Sequence, residues 1–441
     1  MSTTIGGYAQ QLSLLNQLNR VNKSFNKHAT AIATGQKVNS AADDASIFAI
    51  GTRMGIRIGA LDQAAANTQT GTAMLKVADG AMSNTLDILS TMRERALAAT
   101  NSTMKDSDRA SIQKEFNQYI DQITDNSLVE YNGMSLMDGS HSSATQMTTQ
   151  AYTNQSFSKD TAGDTKLTDL AFRNGDGMEI QSTDTVTVSF VKDGKTYTNS
   201  YTAGDTTLAD IFANANQAGQ NAGIGDVFDA NVESTEKIGT NTYGKEQLTA
   251  NRENAITVKA AQAGKSGEIS GFAISVQTAD GQERKAVNNA FNSFTESIGA
   301  AENRDGNALT LQVGAEQNQS IKVGLGDISA RALGLQGSDG SFLSVATADD
   351  AQAALAVIDN AINKVLDQST NVGAVTSRLG YTYDNLTTES ENLTSAQTTL
   401  WGADIAKEIT HLTSDNILMQ ATQAMLAQSY QNSSWYLNLL K

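Results

Sequence analysis

His28, His141 and His411 are the only imidazoles in the chain, and an imidazole is the first place to look for proton transfer or metal ligation near neutral pH. They lie far apart in sequence. No HExxH zinc motif, P-loop or GxSxG elbow accompanies them. Cysteine is absent, which removes thiolate nucleophiles, thiolate metal sites and disulfides together. The adjacent carboxylates Asp43 and Asp44 could be imagined as a dyad, but neighbours at a helix start point in different directions. They serve a helix dipole more simply than a reaction. The expectation is therefore a protein that is not an enzyme, with no catalytic residue, no cofactor and no metal.

The elements that would have to position such residues are unusual in composition. The chain has 441 residues, too many for one ordinary core, so two or three domains are expected. Only 18% of residues are charged, and the polar surface must be built largely from Ser, Thr, Asn and Gln. A formal net charge of -16 excludes nucleic acid as a main partner, because phosphate contacts need clustered Lys and Arg. Proline is absent throughout, as suits a chain of long uninterrupted helices. The start MSTTIGGYAQQ has no basic segment leading into an apolar run, so no cleavable signal peptide is expected, and no stretch approaches membrane-spanning length.

Leu14, Leu18, Val21, Phe25 and Ile32, with His28 in the missing step, fall on one helical stripe that ends at Gly35, a suitable C-terminal cap. Asn39, Ser40 and Asp43 are candidate N-caps for a second helix. From there one heptad position reads Met54, Leu61, Thr68, Leu75, Met82, Leu89 and Ala96, a coiled-coil-like seam. NSTMKDSD at 101–108 breaks it, and Ile112, Phe116, Ile120 and Ile123 define a third helix before the turn signal Asn132-Gly133. Beyond about 140 the chain turns to Thr, Ser, Gly and Asp. Val186, Val188 and Phe190 flank an Asp193-Gly194 turn before Tyr197 and Tyr201, which reads as a hairpin. Leu309, Leu311 and Val313, then Ile321, Val323 and Leu325, suggest another.

The last third returns to helix. Ile358, Val365, Val372, Leu379, Leu386, Leu393 and Leu400 recur at every seventh residue, spanning roughly 60 Å of helix. The companion positions are weaker, since Ile362 and Tyr383 alternate with Ser369, Thr376, Ser390 and Gln397. After Leu400 the phase slips at Gly402, and Ile405, Leu412, Met419 and Leu426 take over. The plain reading of such stripes is the core of a self-contained bundle. Their place at the two chain ends, and the polarity of the companion positions, point instead to a packing partner outside the chain.

These segments resemble bacterial flagellins. TGQKVNSAADDAS is similar to the family's turn between its first two helices, LVEYNGMSLMDG to the exit from the third, LTLQVGAEQNQSIKVGLGDISARALGL to the hairpin that re-enters the rod, and DIAKEITHLTSDNILMQATQAMLAQ to the family's C-terminus. The resemblance covers about 1–140 and 305–441, leaving 141–304 as the variable part. It implies a mainly α fold, in which long antiparallel coiled-coil-like helices from both chain ends form a rod and a β-rich α+β outer domain is inserted between them. The implied division is a polymerisation arm at 1–40, a helical rod at 41–140, the surface-exposed outer domain at 141–304, a returning hairpin at 305–345, the C-terminal rod at 346–401 and a second arm at 402–441.

The resemblance further implies a subunit exported by the flagellar type III apparatus that polymerises into the extracellular filament for swimming motility. Its partners would be further copies of itself, the export apparatus with its chaperone, and the junction and cap proteins, with no membrane insertion. Absent Cys and Pro suit a chain threaded unfolded through a narrow conduit. The implied polymerisation residues are Leu14, Leu18, Val21, Phe25, Ile32, Ile405, Leu412, Met419 and Leu426, and the implied rod seam is Met54, Leu61, Leu75, Met82, Leu89, Val365, Val372, Leu379, Leu386 and Leu393. Some family members are recognised by a vertebrate Toll-like receptor, a host innate immune receptor, through an RxREL-type patch. The matching stretch here is Thr91 to Arg95, which keeps Arg93 and Glu94 but replaces the first Arg and the Leu, and Glu115 matches a further contact. Those two replacements argue against strong recognition. The alternatives are a hook–filament junction protein, disfavoured by the ending MLAQSYQNSSWYLNLLK, and a secreted adhesin whose middle domain binds glycans, for which Tyr197, Tyr201, Phe212 and Phe228 are too few and too strand-like.

Overall fold

The computed structural model describes residues 2–439, and the side chains of 9–432. The tail side chains from Ser433 onward, which separate the two flagellar readings, lie outside the described residues. Seven α-helices are described: α1 (Ser2–Thr34), α2 (Ala45–Ala99), α3 (Asp106–Ser127), α4 (Leu208–Asn221), α5 (Lys285–Phe291), α6 (Ala348–Trp401) and α7 (Ile405–Leu439). The helical ends enclose thirteen short strands: β1 (Glu130–Tyr131), β2 (Met134–Ser135), β3 (Ala151–Asn154), β4 (Thr185–Lys192), β5 (Lys195–Thr202), β6 (Glu233–Thr235), β7 (Lys237–Thr240), β8 (Glu246–Leu248), β9 (Ala255–Lys259), β10 (Gly271–Gln277), β11 (Thr295–Ile298), β12 (Leu309–Gln312) and β13 (Ser320–Val323). The fold is mainly α, with long terminal helices and a β-rich middle.

Two compact units are distinguished. The first comprises 1–68, 312–319 and 381–441, and the second comprises 69–311 and 320–380. In the first unit, Gly35 takes φ +71°, the left-handed conformation that closes a helix. The residue that opens α2 is Asp44, whose Oδ1 accepts from the backbone N–H groups of Ser46 and Ile47. None of the candidates Asn39, Ser40 and Asp43 is the N-cap. Asp43 instead accepts from Asn39 N–H, Ser40 N–H and Ser40 Oγ, folding the preceding turn upon itself. The Ser40 hydroxyl is the main reason its carboxyl lies below the usual range; burial opposes it, and the backbone donors and Lys27 assist. The two adjacent carboxylates thus have separate local tasks, as their differing directions require.

In the second unit α2 buries Leu75, Met82, Leu89 and Ala96, and α6 buries Ile358, Val365, Val372 and Leu379. Along this unit both seven-residue series are therefore core. Thr85, buried beside the α2 series, donates its hydroxyl to the Ala81 carbonyl, so its polarity is satisfied within the helix. α3 buries Ile112, Phe116, Ile120 and Ile123 as its spacing requires. The turn before it is locked by buried Arg109, which donates to the carbonyls of Ala99 and Asn101. The β1–β2 hairpin turns at Asn132 and Gly133, both at positive φ, and β4–β5 turns likewise at Asp193 and Gly194.

The middle region carries two sheets around one apolar core. A three-stranded sheet runs β10-β4-β5 and a four-stranded sheet runs β11-β3-β9-β6, with every recorded pairing antiparallel. Val186, Val188 and Phe190 of β4 and Ile274 and Val276 of β10 meet Ile211 and Phe212 of α4. Phe212, Phe228 and Phe272 pack with ring centroids 5.3–5.9 Å apart, two of the three pairs nearly edge-on. α4 and α5 were not expected from the sequence. α4 nevertheless announces itself by a capping box, in which Thr207 and Asp210 bond each other's backbone N–H.

Candidate assembly interface

The two ends of the chain pair as antiparallel helices. Gln11 Nε2 donates to the Ser429 carbonyl, His28 meets Glu408, and Gln36 forms a β-bridge with Gly402, so the partner number falls as the residue number rises. Gly402 is the joint. Lys37 N–H donates to the Trp401 carbonyl at 2.8 Å and Ala403 N–H to the Gly35 carbonyl at 2.9 Å, which ties the end of α1 to the break between α6 and α7. Trp401 anchors that break by donating its indole N–H to the Ile47 carbonyl and stacking on Phe48. Only glycine fits beneath it, since a Cβ on Gly51 would lie 2.1 Å from the indole ring.

Of the stripe residues assigned to polymer contacts, Val21 is buried; Leu14, Leu18, Phe25, Ile32, Leu412, Met419 and Leu426 are half-buried; Ile405 is exposed. The paired arm already covers most of that stripe. A second set of apolar side chains remains outward: Leu12 and Leu15 on α1, and Ile409, Ile417, Leu418 and Met425 on α7, with Ile417 62% exposed. The three-four stripe of α1 and the seven-residue series of α7 both pass these six by. A helix with apolar residues on several faces is built to be covered on several faces.

His28 and His411, distant in sequence, are brought together by the arm pair. Their rings stack with centroids 5.1 Å apart; Glu408 engages His28 Nδ1, and Asp415 Oδ2 stands 3.9 Å from Nε2. Among the described residues no group of three or more His, Asp or Glu is arranged to hold a metal ion. His141 lies in the other unit, where its backbone carbonyl accepts from Leu325.

Three of the four polar companion positions of α6, Ser369, Ser390 and Gln397, have intrachain partners. Within the first unit Ser390 donates to Asp62 at 2.8 Å and Gln397 to the Gly51 carbonyl at 2.9 Å; within the second, Ser369 donates to Asp79 at 3.3 Å. Polarity at these three positions has a use inside the chain. It serves hydrogen bonds between α6 and α2. Around them Leu61 and Ala64 pack on Leu386, with Leu393 half-buried at the edge and Met54 half-buried further along. Arg57 reinforces this stretch by reaching both Glu316 and Glu389.

The possible receptor residues are engaged within the chain. Arg93 donates to Asp359 at 2.6 Å, while Glu115 pairs with Arg95 at 3.2 Å; Glu94 is exposed.

Both helical ends match known family models, residues 5–142 the bacterial flagellin N-terminal helical region and residues 355–440 the bacterial flagellin C-terminal helical region. The chain belongs to the bacterial flagellin family. It is 28% identical to a flagellin of Clostridium tyrobutyricum over 432 residues, covering 95% of this chain and 97% of that one. It is likewise 28% identical to the B-type flagellin of Pseudomonas aeruginosa, with full coverage of both. Among solved structures, FliC from Burkholderia pseudomallei aligns with 70% of this chain and 99% of its own at 18% identity and a TM-score of 0.26. The flagellar hook associated protein-3 of Legionella pneumophila aligns with 79% of this chain and 98% of its own, at 11% identity and a TM-score of 0.34. As a flagellin the chain is a structural subunit of the flagellum, and the filament such proteins form is extracellular. No described helix of this flagellin is long and apolar enough to cross a membrane.

Proposed function

We propose that this flagellin is exported and polymerises through α1 and α7 into the flagellar filament, driving no reaction of its own. The observation that carries the reading is the apolar set left outward on the paired arms: Leu12, Leu15, Ile409, Ile417, Leu418 and Met425. Fully burying one such side chain contributes about 1.5–3 kcal/mol, so contacts from neighbouring copies would stabilise the arms and the polymer together. The stripe of Leu14, Leu18, Val21, Phe25, Ile32, Leu412, Met419 and Leu426 holds the arm pair in register, and exposed Ile405 joins the outward set. The segments matched to the family models coincide with these helices, which favours the filament subunit over an adhesin. The junction-protein alternative is not better supported. Receptor recognition through Arg93, Glu94 and Glu115 is disfavoured because Thr91 and Arg95 replace the first Arg and the Leu of the family patch; the exposed pairs of Arg93 with Asp359 and Glu115 with Arg95 add little, each worth about 0–1 kcal/mol.

Electron microscopy of the purified chain after adding filament seeds tests this. The parent should form filaments, whereas Ile417→Lys combined with Met425→Lys should remain monomeric with unchanged helix content. Filaments from the double variant would sink the assignment of that face.

A further inference from the structure

A cleft of about 440 Å³ opens in the second unit between one face of α6 and the β10–α5–β11 segment. That volume lies in the range of small-molecule sites. Three aromatic rings line it: Phe272 packs edge-on against Tyr152 at 5.1 Å and tilted against Phe294 at 5.3 Å; Tyr152 and Phe272 are buried, and half-buried Phe294 and Leu355 bring apolar surface to the opening. Gln352, Leu355, Asp359 and Asn363 recur at helical spacing, which puts them on one wall. Filament assembly as argued above uses none of these residues.

The walls carry amide atoms that have no partner among the described residues and face the cleft opening or its solvent. Asn288 uses Oδ1 to accept from Val276 N–H, which leaves its Nδ2 unengaged. Asn360 uses Nδ2 to reach Tyr152 and the Ser270 carbonyl, which leaves its Oδ1. Gln352 and Asn363 make no side-chain hydrogen bond among the described residues. Donors and acceptors are therefore mixed. The charged side chains on the rim are Glu283 and Asp359, the latter already paired with Arg93, and no Lys or Arg lines the cleft. Such a rim repels phosphate and carboxylate ligands.

We propose that this cleft binds one neutral pyranose residue. A pyranose presents an apolar C–H face that packs on a ring such as half-buried Phe294, and each hydroxyl both donates and accepts, matching amides that offer both. A purely apolar ligand would leave those amides unpaired.

Saturation-transfer NMR on the full-length free subunit tests the proposal, using methyl α-D-mannopyranoside, methyl α-D-glucopyranoside, methyl β-D-galactopyranoside and the methyl glycoside of glucuronic acid. Transfer to at least one neutral glycoside is expected, and none to the acidic one. Gln352→Ala with Asn363→Ala should weaken binding roughly tenfold, as the loss of two hydrogen bonds implies. Asn363→Trp, at an exposed position, should fill the cleft and abolish binding with the melting curve unchanged. No transfer to any neutral glycoside, equal transfer to the acidic one, or undiminished transfer in both variants would overturn the proposal.

Discussion

The inserted middle region and the paired arms bury apolar residues in opposite ways. The insert closes on itself: Phe157, Phe190, Phe212, Phe228 and Phe291 are all buried to within 1% exposure, with strands and α4 wrapped around them. Along the described side chains of α1 and α7, only Val21, Ala31 and Thr422 are buried, while Ile417 is 62% exposed. Two helices side by side surround few residues. Sheets with a helix laid across them surround more, because neighbours arrive from three directions. The middle region holds its conformation through that core and through bonds to α6, whose Asn360 reaches Tyr152 and the Ser270 carbonyl within the same unit. The arms hold theirs weakly, since ordering a residue costs about 1–2 kcal/mol and little area is buried in return.

The sharpest way to break this comparison is to place a charge in each kind of interface. Leu379→Asp and Leu386→Asp, at buried seam positions, should each cost about 3–5 kcal/mol by burying an unpaired carboxylate. Val21→Asp, in the arm pair, should barely change the melting curve of the free subunit yet prevent polymerisation. Equal destabilisation by all three would mean that the arms form a core like the seam.

A smaller effect is expected at the joint. Gly51→Ala should cost about 1–3 kcal/mol, because its methyl must displace the Trp401 ring, and a red-shifted or more exposed tryptophan signal would accompany the loss. An unchanged melting temperature would show that the ring has room to move.

The arms can also be compared with the rest by limited proteolysis. In the free subunit cleavage should trim both ends to a fragment of roughly 45–400, as expected where helices lack a surrounding core. In filaments the same residues should resist, through mass action by neighbouring copies. Identical digestion patterns would make the arms self-sufficient.

The insert offers a subtler test through pH. Burial raises the Glu296 carboxyl above its ordinary range, despite nearby Lys364 and a hydrogen bond from Gln150. A carboxyl whose folded value is raised favours the fold while protonated and loses that contribution as pH rises through the folded value. Glu296→Gln should therefore flatten the decline in stability between acid and neutral pH, measured by melting. A steeper decline in the variant would mean that Lys364 outweighs burial.

Least disruptive should be removal of the insert itself. Arg304 reaches the Gly139 carbonyl and Asn307 the Ser140 carbonyl, so the flanks of 141–304 already stand together. Joining them with a short flexible linker should leave filament formation largely intact by electron microscopy. Loss of filaments from a folded, secreted product would show that the insert shapes the rod.

Sequence periodicity by itself determined the long helices, their buried seams and the hairpins at Asn132-Gly133 and Asp193-Gly194. Those features are local: a seven-residue repeat fixes a helix face, and two residues at positive φ fix a turn. Only the tertiary structure showed that Asp44 caps α2 by accepting from Ser46 and Ile47, because its neighbour Asp43 is taken up by Asn39 and Ser40 in the preceding turn. It decided that Ser369, Ser390 and Gln397 bond α2, since a polar side chain reads alike whether its partner is water or another helix. It also brought His28 against His411 and left Ile417 outward, because which faces of α1 and α7 are covered depends on the crossing of two helices nearly four hundred residues apart.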